Sequence, residues 1–211
     1  MTSMFPSSDF DHWAEDYDAS VQANDSFPFL DYEVLLGNIV RIAEPRKGLS
    51  VLDLGTGTGN LAIPFAQAGC DVWCADFSEA MLEKAKQKVP GAHFVIYDMH
   101  DPLPPELARP YGCIVSAFTF HHFDLYEKVE IIQRLLPHLA RGGSIIIGDI
   151  SFADAASREQ VKADLGNDWD EEFYWLASSD IPALEGLGME IDYRQITPFS
   201  GIFCLMNLAI S

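Results

Sequence analysis

Three glycines at alternate positions, Gly55, Gly57 and Gly59, directly follow an apolar run in the segment LSVLDLGTGTGNLA, residues 49–62. The order of apolar run, glycines and helix-like segment predicts a strand that turns tightly into a helix. Glycine adopts positive φ angles and has no Cβ, so backbone N–H groups in such a turn can come close to a ligand. We therefore expect a binding loop here; a β–α turn that holds no ligand is the alternative.

The residues around this loop discriminate between nucleotide-like ligands. The dinucleotide fingerprint G-x-G-x-x-G needs a third glycine where this chain has Asn60, and no Gly-Lys-Ser/Thr follows as in a P-loop. Asp53, at the strand end, would disfavour a pyrophosphate but could hold a cationic amino group. Asp76 and Asp98 end the next two predicted strands, where carboxylates can accept hydrogen bonds from ribose hydroxyls and an adenine amine. Together these features indicate an adenosyl ligand that carries a cationic amino acid rather than phosphates.

Alternating strands and helices must position these residues. Two strand-like runs near the end of the chain are joined by four residues, which predicts an antiparallel hairpin. The repeated β–α units before them predict a doubly wound, Rossmann-like α/β fold, with a seven-stranded, mostly parallel sheet. Such a sheet binds its ligand beyond the carboxyl ends of its strands, where the glycines and acids lie. The predicted strands are 50–54, 71–75, 93–97, 112–117, 144–149, 189–196 and 201–208.

The charge balance restricts the possible partners. The chain of 211 residues has 13 lysines and arginines against 32 aspartates and glutamates, a net charge of −19. Such a surface repels phosphate backbones and anionic membranes, so we expect neither as a partner. No secretory signal or membrane-length apolar run is visible, and Cys70 and Cys74 have no matching pair that would form a zinc site. We expect a reduced, cytoplasmic protein without a metal site.

Several motifs carry a resemblance to a known family: VLDLGTGTG, CADFSEAMLEKAK, IYDMHD, CIVSAFTFHHF and LLPHLARGGSIIIGDI. With them the chain resembles the class I S-adenosylmethionine-dependent methyltransferases over residues 50–150. The opening FDHWAEDYD is similar to that of small bacterial YrrT-like methyltransferases. The resemblance implies one methyltransferase domain over 1–211, with a helical lid (1–45), a cofactor-binding core (46–150) and a substrate-side segment with the terminal hairpin (151–211).

The resemblance also implies S-adenosylmethionine as the cofactor and gives roles to individual residues. Gly55, Gly57 and their turn would face the methionine part, Asp76 would bind the ribose, and Asp98 would contact the adenine. The other residues expected at the cofactor are Asp53, Thr56, Gly59, Phe77, Met81, Met99, Ala117, Phe118 and Tyr17.

The expected chemistry is transfer of an activated methyl group, for which the protein mainly holds a nucleophile in line with the sulfonium. Positioning of this kind can supply about 7–11 kcal/mol of a barrier. His121 and His122 follow the fourth strand beside the expected methyl position, where either could act as a base or only satisfy loop backbone groups. Trp13 and Tyr17 could steady the sulfonium through their ring faces, although packing explains the same spacing. For the acidic-aromatic stretch 168–175 we favour a solvated acidic helix over a substrate-gating lid.

The predicted function is therefore methyl transfer to a small-molecule acceptor. Three alternatives stay open. A nicotinamide-dependent oxidoreductase is disfavoured by Asn60 and Asp98. A non-catalytic S-adenosylmethionine-binding module lacks only the transfer step, and a protein methyltransferase would use the acidic surface to attract a basic partner.

Overall fold

Strands and helices alternate through most of the computed structural model, which describes residues 17–22 and 27–207. Trp13 and most of a helix that the apolar spacing predicts over residues 9–21 lie outside the described residues, as does residue 208 of the last predicted strand. No helix in the described part is long and apolar enough to cross a bilayer. The strands are β1 (Ser50–Leu54), β2 (Asp71–Asp76), β3 (His93–Ile96), β4 (Tyr111–Ala117), β5 (Leu139–Phe152), β6 (Trp175–Leu176), β7 (Met189–Thr197) and β8 (Ser200–Asn207). The helices are α1 (Tyr17–Gln22), α2 (Tyr32–Ala43), α3 (Ala62–Gln67), α4 (Glu79–Lys88), α5 (Leu125–Leu135), α6 (Ala155–Leu165) and α7 (Ala177–Glu185).

The strands form one sheet in the order β3-β2-β1-β4-β5-β8-β7. The first five are parallel, and β8 runs antiparallel to both of its neighbours. The predicted doubly wound sheet with a C-terminal antiparallel hairpin is confirmed. The two-residue strand β6, which pairs with β5, was not predicted. The strand order reverses between β1 and β4, and this is the point at which open α/β sheets bind ligands.

Apolar side chains of the central strands alternate between two cores, one on each face of the sheet. Val51 of β1 packs into the cluster that holds Leu35 and Ile39 of α2. Leu52 packs into the opposite cluster, with Ile132 of α5. Because both faces are covered by helices, the parallel strands read as nearly continuous apolar runs.

The apolar spacing predicts a helix over residues 29–43 with Leu30, Val34, Leu35 and Ile39 facing inward, and the N-terminal boundary of α2 differs from this prediction. The helix begins at Tyr32 rather than at residue 29, and a turn precedes it. Its buried side chains include Leu35 and Ile39 as predicted, but Val34, predicted to face inward, is 51% exposed. The buried face follows the i, i+3, i+4, i+7 spacing from Tyr32, which places Val34 on the opposite side.

The prediction of an acidic helix over 168–175 is wrong. The α-helix of this region, α6, ends at Leu165, and residues 169–174 have no regular secondary structure. Long-range hydrogen bonds hold this stretch: the Phe173 N–H donates to the His121 carbonyl, and the Phe173 carbonyl accepts from Lys128 Nζ. These tertiary contacts, together with the burial of Trp175, override the local helical pattern.

Candidate functional site

The glycine loop connects β1 to α3, and its glycines have different surroundings. Gly57 has φ +53°, and a Cβ placed there would meet nothing within 4 Å, because it would point into open space beside the loop. Gly59 has φ +86°, and a Cβ there would lie 3.1 Å from the Cα of Ala85 in α4. Gly59 therefore allows close helix packing, the task of the third glycine in the dinucleotide fingerprint. Gly57 leaves room for a ligand.

Asp76 at the end of β2 is joined directly to this loop. Its Oδ2 accepts a hydrogen bond from the Gly57 N–H at 2.8 Å, and its Oδ1 accepts from the Ser78 N–H at 2.9 Å. Ser78, directly before Glu79, is the residue that the sequence predicts as a helix cap, and it caps α4 by accepting from the Met81 N–H. A carboxylate oxygen has two lone pairs, so a side chain of this type can accept hydrogen bonds from a ligand as well as from a loop.

Asp53 at the end of β1 is a buried carboxylate that is only partly satisfied. Its Oδ2 accepts from Thr56 Oγ1 at 2.6 Å, whereas its buried Oδ1 accepts no hydrogen bond from any described residue. Burial raises the pKa of Asp53 to about 7, and the neighbouring charge of Asp76 adds to the effect, against the Thr56 hydrogen bond. A cation beside Oδ1 would stabilise the ionised form.

Asp98 lies two residues beyond the end of β3, and one of its carboxylate oxygens contacts His100. Its Oδ1 accepts from the His100 backbone N–H at 2.9 Å and lies 2.8 Å from Nδ1 of the same residue. The Asp98 side chain is about two-fifths exposed, and Met99 beside it is buried.

These residues surround one cavity of about 780 Å³ at the carboxyl ends of the strands. This volume lies within the range of roughly 300–1,000 Å³ that is typical of small-molecule sites. The sequence-predicted site residues that line it are Tyr17, Asp53, Gly55, Thr56, Gly57, Asp76, Phe77, Met81, Asp98, Met99, Ala117, Phe118, His121 and His122. Gly59, predicted as a cofactor contact, is not among the lining residues, because it packs against Ala85 instead.

Aromatic rings form one wall of the cavity. Phe118 stacks on Tyr32 with ring centroids 5.4 Å apart, and Phe29 meets Phe118 edge-on at 5.3 Å. Phe118 has φ +51°, which costs a residue with a Cβ about 1–3 kcal/mol and is typical of functional sites. Tyr17 lines the same region. Its burial, and to a smaller extent the nearby Tyr32, raise its pKa well above the usual range, so its phenol stays protonated.

His121 is oriented by Asp149 at the far side of the cavity. Its Nδ1 lies 2.6 Å from Asp149 Oδ1, and its backbone N–H donates to Asp149 Oδ2 at 2.8 Å. Both residues are buried. Burial opposes a charged imidazole, but the Asp149 carboxylate outweighs it and raises the pKa of His121. In return His121 holds the pKa of Asp149 below its usual value despite burial.

His122 and Glu172 form a second pair beside the first. His122 Nδ1 lies 2.9 Å from Glu172 Oε2, and His121 Nε2 lies 3.7 Å from the same oxygen. Burial, and then the charge of His121, lower the pKa of His122. Glu172 was not predicted as a site residue. No local signal could identify it, because it reaches the histidines from a segment 50 positions away.

The chain is similar to proteins of one known family. A family model described as "Methyltransferase domain" matches residues 51–143. A protein of Anoxybacillus flavithermus named "Uncharacterized methyltransferase" is 35% identical over 190 residues, which cover 83% of this chain and 84% of that protein. The chain belongs to the methyltransferase family.

Further relatives of this methyltransferase agree with that assignment. "Uncharacterized methyltransferase YrrT" of Halobacillus halophilus is 30% identical over 202 residues, covering 90% of this chain and 92% of that protein. The solved DhpI-SAM-HEP complex has the same fold, with a TM-score of 0.74 at 19% identity over 97% of this chain and 98% of that chain. The resemblance to class I S-adenosylmethionine-dependent methyltransferases is confirmed.

A polar network ties α1 of this methyltransferase to the glycine loop. Asp18 Oδ1 accepts from Thr58 Oγ1 at 2.6 Å and from Asn60 Nδ2 at 3.1 Å. Lys88 Nζ of α4 lies 2.6 Å from Asp18 Oδ2 and donates to both Thr58 Oγ1 and Asn60 Oδ1. The same Asn60 that breaks the dinucleotide fingerprint therefore anchors the N-terminal helix over the loop.

Proposed function

We propose that this methyltransferase transfers the methyl group of S-adenosylmethionine to a small-molecule acceptor. The proposal rests on one observation: the same cavity is lined by the three carboxylates Asp53, Asp76 and Asp98 and by the two imidazoles His121 and His122. One end offers acceptors for a cationic adenosyl ligand, and the other offers imidazoles and a carboxylate to a second molecule. A volume of about 780 Å³ suits a cofactor together with a compact acceptor.

The glycine loop and the three nearby acids, Asp53, Asp76 and Asp98, fit the cofactor. When bound, S-adenosylmethionine supplies a methyl group already activated on a sulfonium. The open space beside Gly57 would admit it, and Asp53 Oδ1, which accepts no hydrogen bond from a described residue, would offer a charge to its ammonium group. Asp76 would accept from the ribose hydroxyls, and Asp98 Oδ2 from the adenine amine.

The acceptor would lie against His121, His122 and Glu172. Tyr17, Phe29 and the other rings of the aromatic wall would exclude water and hold the acceptor in line with the methyl group. In this proposal the described residues before β1 and those after β5 close the cofactor-binding core from two sides. One of the two histidines, both of which line the cavity, would take a proton from the acceptor, as the sequence predicts.

The surface charge supports a small-molecule acceptor, and the cysteines support a cytoplasmic location. A net charge of −19 favours a small molecule over a nucleic acid. All four cysteines are free thiols, three of them buried, which is consistent with a reducing, cytoplasmic location.

Calorimetric titration of the full chain tests the cofactor assignment. S-adenosylmethionine and its demethylated product should each bind with one-to-one stoichiometry, whereas NAD should not bind. Binding of NAD without binding of S-adenosylmethionine would contradict the proposal and favour an oxidoreductase.

Transfer itself is tested with methyl-labelled cofactor and two acceptor pools, a metabolite panel and a protein extract. Label in the small-molecule pool is the expected result. Label confined to protein would point to a protein methyltransferase. Tight cofactor binding with no label in either pool would favour a non-catalytic binding module.

A further inference from the structure

Three donor groups of the kind that hold metals converge at the acceptor end of the cavity. One nitrogen each of His121 and His122 and one oxygen of Glu172 lie within 4.8 Å of one another. All three residues line the cavity, so a group held between them would face the space where the acceptor is proposed to bind. The predicted absence of a metal site considered only the cysteines, and these lie elsewhere.

His121 is already oriented as a metal-binding imidazole. Its Nδ1 is engaged by the Asp149 carboxylate at 2.6 Å, which leaves Nε2 directed towards Glu172 at 3.7 Å. A ligating histidine in proteins nearly always donates its second ring N–H to a carboxylate or carbonyl, which fixes its tautomer and increases its basicity. The buried pair His121–Asp149 provides this support in advance.

The spacing of the donors matches that of a divalent ion. With bonds of 2.0–2.2 Å, the ligand atoms of a tetrahedral zinc ion lie about 3.3 Å apart. The measured separations of Glu172 Oε2 from the two imidazole nitrogens, 2.9 Å and 3.7 Å, lie on either side of this value. Small rotations of the Glu172 and His122 side chains, both partly exposed, would equalise them.

The charges around the donors also favour a cation. Glu172 and Asp149 bring two carboxylates next to two imidazoles, and Glu172 Oε2 lies within 4 Å of a ring nitrogen of each histidine. The cation facing this group from α5 is Lys128, which is held by the Phe173 carbonyl and the ring of Trp175. Two histidines and one carboxylate, with a coordination position left open, form a recurrent donor set for zinc and related ions.

We propose that His121, His122 and Glu172 bind one divalent transition-metal ion of the zinc type, with the open position facing the cavity. Its role rests on the proposed function: an acceptor oxygen, nitrogen or sulfur bound at that position would be placed beside the methyl group and would lose its proton more easily. His122 cannot be a ligand and a base at the same time, so metal binding would replace the predicted base role.

Zinc binding by the full chain tests the site without any assay of transfer. The protein is treated with chelator, freed of it, and titrated with zinc chloride; cobalt(II) is added to a parallel sample and its visible absorption recorded. The decisive variant is Glu172→Gln, which removes one ligand charge and keeps the shape. Glu171→Gln is the matched control, because Glu171 is an adjacent acid that pairs with Lys162 on the surface and does not line the cavity.

The wild-type chain should bind one zinc ion and give the absorption of four- or five-coordinate cobalt. Glu172→Gln should weaken zinc binding at least tenfold, and Glu171→Gln should leave it unchanged. The proposal is overturned if the wild type binds no zinc, if its cobalt spectrum is that of the hydrated ion, or if Glu172→Gln binds as tightly as the wild type. Titrating the same samples with S-adenosylmethionine separates the two hypotheses: cofactor binding without zinc binding rejects only the metal site, and the reverse rejects only the cofactor assignment.

Discussion

Replacing Asp53 with asparagine tests the electrostatics of the binding loop. Asp53 is 1% exposed, its Oδ1 lacks a hydrogen bond in the described structure, and burial raises its pKa from 3.8 to about 7. An acid whose pKa is higher in the folded state destabilises the fold when it ionises. The loss in free energy of unfolding caused by ionised Asp53 is therefore absent below pH 3.8, grows as the pH rises, and is complete above about pH 7.

The size of the effect follows from the shift. At 1.36 kcal/mol per pKa unit, ionised Asp53 lowers the free energy of unfolding by about 4 kcal/mol at pH 8 and by about 1.5 kcal/mol at pH 5. Asparagine has the same shape, can still accept from Thr56, and does not ionise. The stability of Asp53→Asn relative to wild type should therefore improve by about 2.5 kcal/mol between pH 5 and pH 8.

Urea unfolding without cofactor, followed by far-UV circular dichroism at the two pH values, measures this difference. Asp31→Asn is the control, because Asp31 is exposed and its left-handed backbone suits asparagine equally well. The change in stability between the two pH values should be larger for Asp53→Asn than for Asp31→Asn. A pH-independent stability difference between Asp53→Asn and wild type would refute the argument that burial raises this pKa.

Three further substitutions test other parts of the site. Asp76→Ala should weaken S-adenosylmethionine binding by about 1.5–3 kcal/mol, because two ribose hydroxyls would lose a charged acceptor; calorimetry showing unchanged affinity would remove Asp76 from the site. Gly57→Ala should destabilise the fold by about 1–2 kcal/mol, since φ is +53°, and should also weaken cofactor binding, because the new methyl group enters the open space. A thermal melt and a titration separate these two effects, and a variant that binds normally would show that the space is not used. Asp18→Asn should cost about 1 kcal/mol of stability at pH 7 by breaking the ion pair with Lys88. Because the pKa of Asp18 is lowered in the fold, this loss should fade as the pH falls below 4, and a loss that persists there would mean that the ion pair is not its cause.

The order of secondary structure elements could be predicted because each unit carries its own local signal. The strand at β1 is an apolar run that ends in glycines, and α4 begins at a serine cap whose hydrogen bond to Met81 is present. The ends of elements and the irregular segments could be predicted less well. The start of α2 is displaced because Asp31, directly before it, has a left-handed backbone. The course of residues 169–174 depends on contacts with distant parts of the chain, which no local pattern encodes.

By itself, the sequence determined the fold class, the methyltransferase family and most of the predicted residues that line the cavity. The reason is topological: the acids and glycines end neighbouring parallel strands, and these ends meet at one edge of the sheet. Only the tertiary structure decided that Gly59 packs against a helix, and that Glu172 joins the two histidines from 50 residues away. Contacts of that kind depend on how a loop returns to the sheet, and this is set by the packing of the whole chain rather than by residue spacing.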